Sequence, residues 1–187
     1  MKLHLTADEM LGYWRQLRGY EPLRSDHAVV RRDGVDIDAL LRKEIDSWYG
    51  SLLDTAPTSM LAPVDIAASL SASRHADNSV TVTLPDNCRR LLSVCLRGWD
   101  VAAVPVNATD AEAASVLNAQ SNPFSRGGAS EPMAILFPGG CLRLFSLPES
   151  ESDAVLTSAV AIINHADNFY DFDSSALSTI TSFEMNK

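Results

Sequence analysis

Basic residues are scarce in this chain: 15 Lys and Arg stand against 24 Asp and Glu, a formal charge of −9 at pH 7. Such a surface repels phosphate, which argues against sequence-specific nucleic-acid binding, because Lys and Arg on phosphates supply most of that affinity. Cysteine is scarce too. Cys88, Cys95 and Cys141 are three in number and lack metal-type spacing, which speaks against a disulfide framework and for a reducing compartment. No apolar run approaches the ~18 residues that span a bilayer. The N-terminal MKLHLTADEM has no apolar leader core, so the expectation is a soluble, acidic chain made in the cytoplasm with no membrane partner. His4, His27, His75 and His165 are too scattered for a ligand pair. The Asp171-Phe172-Asp173 run lacks the glycine of a calcium loop and is expected to be solvated. Arg126-Gly127-Gly128 lacks the lysine and following helix of a phosphate loop and is expected to be a flexible loop. No metal or cofactor is expected.

What is present is ordinary for a globular domain: 46% apolar and 21% charged residues, in a chain of 187 that can bury a sizeable core. The acidic excess is uneven. Residues 149–187 hold seven acids and one lysine, a solvated face or a docking surface for a basic partner.

Two helices are written plainly near the N-terminus. Thr6-Ala7-Asp8-Glu9 is a capping box, with Leu5 and Met10 as the staple around it. Met10, Trp14 and Leu17 follow at helical spacing, and Gly19 stands where a left-handed cap ends a helix. The second helix starts at Asp36 with Val35 and Leu40 as its staple. Its apolar face runs through Ile37, Leu40, Leu41, Ile45, Trp48, Tyr49, Leu52 and Leu53, and it stops before Pro57. Trp14 and Trp48 are expected to pack between these helices and a sheet.

Beyond Pro63 the period shortens to that of strands. Val64 to Leu70 alternate with polar residues and predict one arm of a hairpin with the strand at Val80, a short helix over 64–72 being the alternative. Val80, Val82 and Leu84 alternate with threonines; Pro85-Asp86-Asn87 sets a corner; Leu92, Val94 and Leu96 alternate again. Gly98 permits a bend beside Trp99. Thr109-Asp110-Ala111-Glu112 is expected to cap a brief helix through Leu117, which Asn122-Pro123 then breaks. A second hairpin runs from Met133–Phe137 through Pro138-Gly139-Gly140 to Cys141–Leu147. A strand over 154–163, a polar loop over 164–173 and a short helix over 174–183 complete the chain. The fold class is α+β: N-terminal helices packed on an antiparallel sheet, sandwich- or barrel-like, with a short C-terminal helix. The division is a helical region over 1–57 and a β domain over 58–187, the two forming one compact unit.

Nucleophilic chemistry has a single faint candidate. Cys88 stands beside Arg89-Arg90, which can depress a thiol pKa, and a Cys–His pair such as Cys88 or Cys95 with His75 or His165 is the sharpest enzymatic option. The bland alternative is a half-buried packing cysteine.

At Leu84-Pro85-Asp86, Arg90-Leu91 and Gly98-Trp99 the chain resembles the head–tail connector and tail-tube adaptor proteins of short-tailed phages. The likeness extends upstream through IDSWYGSLLDTAP. Downstream it takes in Gln120, Arg126-Gly127, Glu131-Pro132 and LRLFSLP, so that it covers roughly residues 36–148. Cys88-Arg89 stands where that family usually has an aromatic–aliphatic pair, and the segment after Asp173 is shorter than the closing helices of the larger adaptors. The resemblance implies a non-enzymatic phage or prophage virion protein, made in the bacterial cytoplasm. Its copies would form a ring around the DNA conduit and contact the portal or other tail proteins, with Trp99 and Arg126 as candidate subunit contacts. A β-domain binding module of a bacterial protein is the alternative, and a small cysteine-dependent enzyme ranks last.

Overall fold

The computed structural model describes residues 1–19, 36–122, 125–148, 153–164 and 169–183. In chain order they form β1 (Lys2–Thr6), α1 (Ala7–Leu17), α2 (Ile37–Thr55), β2 (Val64–Asp65), β3 (Ala72–Arg74), β4 (Val80–Thr83), β5 (Cys88–Leu96) and β6 (Val106–Asn107). Then follow α3 (Ala111–Gln120), β7 (Ala134–Phe137), β8 (Cys141–Leu144), β9 (Leu156–Ile163) and β10 (Phe169–Asp173). Short 3-10 turns occupy Thr58–Met60, Ala67–Ser69 and Ser174–Thr179. The chain divides into two compact units, residues 1–62 with 164–187 and residues 63–163.

In the first unit the capping box forms as expected. The Glu9 amide donates to Thr6 Oγ1 at 3.3 Å and the Thr6 amide to Glu9 Oε2 at 2.8 Å. Leu5 and Met10, the staple pair, are both buried. Gly19 takes φ +72° at the end of α1, a conformation that glycine adopts without strain. Asp36 caps α2 through the Ala39 amide at 3.1 Å, while its expected staple partner Val35 lies outside the described residues. The inner face of α2 buries Leu41, Ile45, Trp48, Tyr49, Leu52 and Leu53. Leu17, Ile37 and Leu40, expected on the inner faces, are exposed instead. Trp14 and Trp48 meet edge to face with ring centroids 5.7 Å apart, and Trp48 meets Phe172 of β10 at 5.4 Å. Both indoles therefore serve core packing, and their N–H groups donate to Glu44 and Thr179.

The two strands of this unit correct the sequence expectation. Residues 169–173, expected as loop, pair antiparallel with β1 from Thr6↔Phe169 to Lys2↔Asp173. Tyr170 and Phe172 point inward and are buried, alternating with Asp171 and Asp173, so the acidic run lies on a strand. This pairing is also why the division differs from 1–57 and 58–187. The chain returns to its own beginning, and the last segment joins the helices rather than the β domain. The expected terminal helix is the 3-10 turn Ser174–Thr179, capped by Asp173 through the Ser175 amide at 3.0 Å.

The second unit holds two open sheets. One has the order β2-β9-β5 and the other β3-β4-β8-β7-β6. Val80, Val82, Leu142 and Leu144 from the larger sheet share one core with Val94, Leu96, Ala159 and Ala161 from the smaller, so the sheets pack as a sandwich and do not close into a barrel. The opposite face of the larger sheet buries Ile135 and Phe145 against Ala113 of α3. Every pairing in this unit is antiparallel except β6 with β7. The expected hairpin at 133–147 forms, with Gly139 and Gly140 at φ +81° and +72°. The expected hairpin from Val64 does not. Asp65 accepts the Ala67 amide at 2.9 Å and the Ala159 amide at 3.0 Å, which turns the chain after β2, and Ala72–Arg74 becomes the partner of β4. In β5 three register shifts break the simple alternation over Cys88–Leu96.

Candidate functional site

The site grows from the bend at Gly98, whose φ of +85° reverses the chain after β5. The bend turns Trp99 inward, where it is 8% exposed and donates its indole N–H to the Ser146 carbonyl at 2.9 Å. Ser146 itself stands at φ +70°, an uncommon conformation for a residue with a side chain. Its hydroxyl donates to the Gly127 carbonyl at 2.5 Å. Gly127 is packed so closely that a Cβ there would collide with the Glu131 carbonyl oxygen. The Asp100 amide donates to the Ala129 carbonyl at 2.9 Å, and the Glu131 amide to the Gly128 carbonyl at 3.1 Å. Residues distant in sequence are thereby tied into one knot: the Gly-Trp bend, the Arg126–Glu131 loop and the segment after β8.

Beside this knot lies a groove of about 610 Å³. Leu117, Phe145 and Leu147 give it an apolar floor, and Gln120, Arg126 and Arg143 give it polar walls. Arg143 is engaged: its Nη2 donates to Asp77 Oδ2 at 2.7 Å, Nε and Nη2 reach Ser79 Oγ at 3.2 Å, and its guanidinium stacks 5.4 Å from the Phe145 ring centre. The Ser79 hydroxyl and amide, followed by the Arg143 guanidinium, hold the Asp77 carboxyl below its ordinary range. Arg126 is exposed and has no ion pair among the described residues. Among those residues the groove thus offers one free cation above an apolar floor, with a balanced Asp77–Arg143 pair at one side. That is binding chemistry for an anion with an apolar body.

The structure links the two sequence-derived candidates without placing them alike. Trp99 is core, held within its own unit, whereas Arg126 is on the surface at the groove. Arg143, Asp77, Ser79 and Ser146 were not singled out from sequence. The available signal was Arg143, a lone charge inside the alternating Leu142-Arg143-Leu144 strand. Burial pushes the Cys88 thiol up, opposite to the depression expected from Arg89-Arg90. His75 Nε2 is hydrogen-bonded to the Thr81 hydroxyl at 2.7 Å, and His165 lies outside the described residues. Among the described residues no cluster of His, Cys, Asp or Glu is arranged to hold a metal ion. No helix there is long and apolar enough to cross a membrane.

Compared with known protein families and curated proteins, the chain matches none.

Proposed function

We propose that the chain is a non-enzymatic virion structural protein of a phage or prophage, a head–tail connector or tail adaptor. Its copies form a ring around the DNA conduit, against the portal or another tail protein. The observation that carries this is the knot around Trp99. Gly98-Trp99, Arg126-Gly127, Glu131 and the LRLFSLP segment bear the resemblance to connector proteins, and they are joined to one another by hydrogen bonds and close backbone packing. The net charge of −9 is compatible with the same role, since a conduit that attracted phosphate would retard the passing DNA.

The test is loading onto portal rings of the same phage, followed by co-sedimentation and electron microscopy. Stoichiometric rings of the chain on the portal are expected, and purified virions are expected to contain it. Wild-type protein that never loads, and that is missing from virions, sinks the connector assignment and leaves the binding-module alternative, for which the groove at Arg126 is the observation in favour.

A further inference from the structure

We propose that the Arg126 groove is the contact between copies of this chain, and that it receives the outer face of α1 from the next copy. Glu9 would meet Arg126, and Tyr13 and Leu17 would lie on the apolar floor. This rests on the ring assignment above and names its interface.

Copies carrying −9 each repel one another, so association needs a place where opposite charges meet locally. The groove supplies the positive side: Arg126 is exposed and unpaired among the described residues, and Leu117 beside it is 40% exposed. The outer face of α1 supplies the complement. Glu9, Tyr13 and Leu17 follow at i, i+4 and i+8, forming one stripe about 12 Å long. Tyr13 is 39% and Leu17 36% exposed, although the helix already buries Met10, Leu11 and Trp14 on its inner face. An apolar pair at helical spacing beside an acid is the form in which helices are recognised by grooves. Glu9 is fixed for this use. Its Oε2 accepts from the Thr6 amide and hydroxyl, both at 2.8 Å, and Oε1 has no hydrogen bond among the described residues. Those same bonds hold the Glu9 carboxyl below its ordinary range, so it is an anion at neutral pH. Groove and stripe are different surfaces, so each copy has one of each to offer, and a head-to-tail use of them generates a ring when the rotation closes.

Sedimentation velocity on the purified full chain tests this with a charge exchange. Wild type is expected to associate with rising concentration, more strongly at low salt. Arg126→Glu alone and Glu9→Lys alone are each expected to weaken self-association about tenfold or more. An equimolar mixture of the two is expected to associate again. The new carboxylate in the groove of one variant would face the new ammonium on the stripe of the other, while the Glu9 retained by the first would face the Arg126 retained by the second. Glu9→Lys removes the capping box, so Tyr13→Ser on the stripe and Leu117→Asp in the groove provide variants outside it. Both are expected to be monomeric with wild-type melting. Wild type that stays monomeric to about 1 mM overturns the proposal. So does an Arg126→Glu variant that associates normally, or a mixture that does not recover. Loading on the portal is read separately: a chain that loads while Arg126→Glu self-associates normally loses only this interface. A chain that associates through the groove but never loads loses only the connector assignment.

Discussion

Substituting alanine for Gly127 and, separately, for Gly128 tests whether the knot around Trp99 is held by close backbone packing. Neither glycine has a positive φ, so alanine is sterically allowed at both backbones and only the surroundings differ. At Gly128 no heavy atom lies within 4 Å of the added Cβ. The substitution therefore acts on the unfolded chain alone, and a stabilisation of about 0.4–1 kcal/mol is expected. At Gly127 the same carbon collides with the Glu131 carbonyl and sits 3.2 Å from Ser146 Oγ. A backbone oxygen cannot rotate aside as a side chain can, and Glu131 is itself held by its amide bond to Gly128. Overpacking of this kind costs about 1–3 kcal/mol, more than the unfolded-state gain returns. For a chain of this size each kcal/mol lowers Tm by roughly 2–4 °C. Urea unfolding and thermal melting of the two variants, side by side with wild type, give the comparison. Opposite signs are expected at adjacent glycines. A Gly127→Ala protein as stable as Gly128→Ala would refute the close packing, and with it the knot that carries the functional proposal.

Further outcomes follow from the same unit. Trp99→Ala is expected to cost about 3–5 kcal/mol in urea unfolding. Trp99→Phe, which keeps a ring but leaves the Ser146 carbonyl without its donor, is expected to cost about 1–3 kcal/mol; a Trp99→Ala variant that melts like wild type would contradict a core role. Asp65 is held below its ordinary value of 3.8, first by the Ala159 amide and second by the Ala67 amide. A depressed carboxylate contributes stability that is present above its unfolded pKa and is lost as pH falls through the lower folded value. The acid loss below about pH 3.9 is therefore expected to be shallower in Asp65→Asn than in wild type, measured as melting temperature against pH. With its thiol pushed up by burial, Cys88 is expected to alkylate more slowly at pH 7 in the native protein than in urea, by mass spectrometry. Equal rates would place it in a reactive, exposed setting.

Local chemistry was enough to write the helices and the 133–147 hairpin into the sequence. The Thr6–Glu9 box and the Asp36 cap are closed by residues three positions apart, and the Pro138-Gly139-Gly140 turn joins neighbouring strands. Short-range geometry decides such features, so residue order alone reports them. The apolar content and alternation likewise announced an α+β chain with a sheet core. Ambiguity began where a pattern had two local solutions: Val64–Leu70 alternates like a strand, yet only the two residues of β2 stay extended and a 3-10 turn follows the Asp65 carboxylate.

What only the tertiary structure decided is set by partners far apart in sequence. Lys2 pairs with Asp173, which gives the last segment to the helical unit although its own residues read as a polar loop. Trp99 and Arg126 were both legible as residues of interest, but their roles separate only in space. The Ser146 carbonyl and hydroxyl draw Trp99 into the core and Gly127 against it, leaving Arg126 outside on the groove with Arg143 and Leu117. No local pattern encodes those distances. They follow from sheet register and from the close approach of backbones across the fold, which side-chain periodicity does not report.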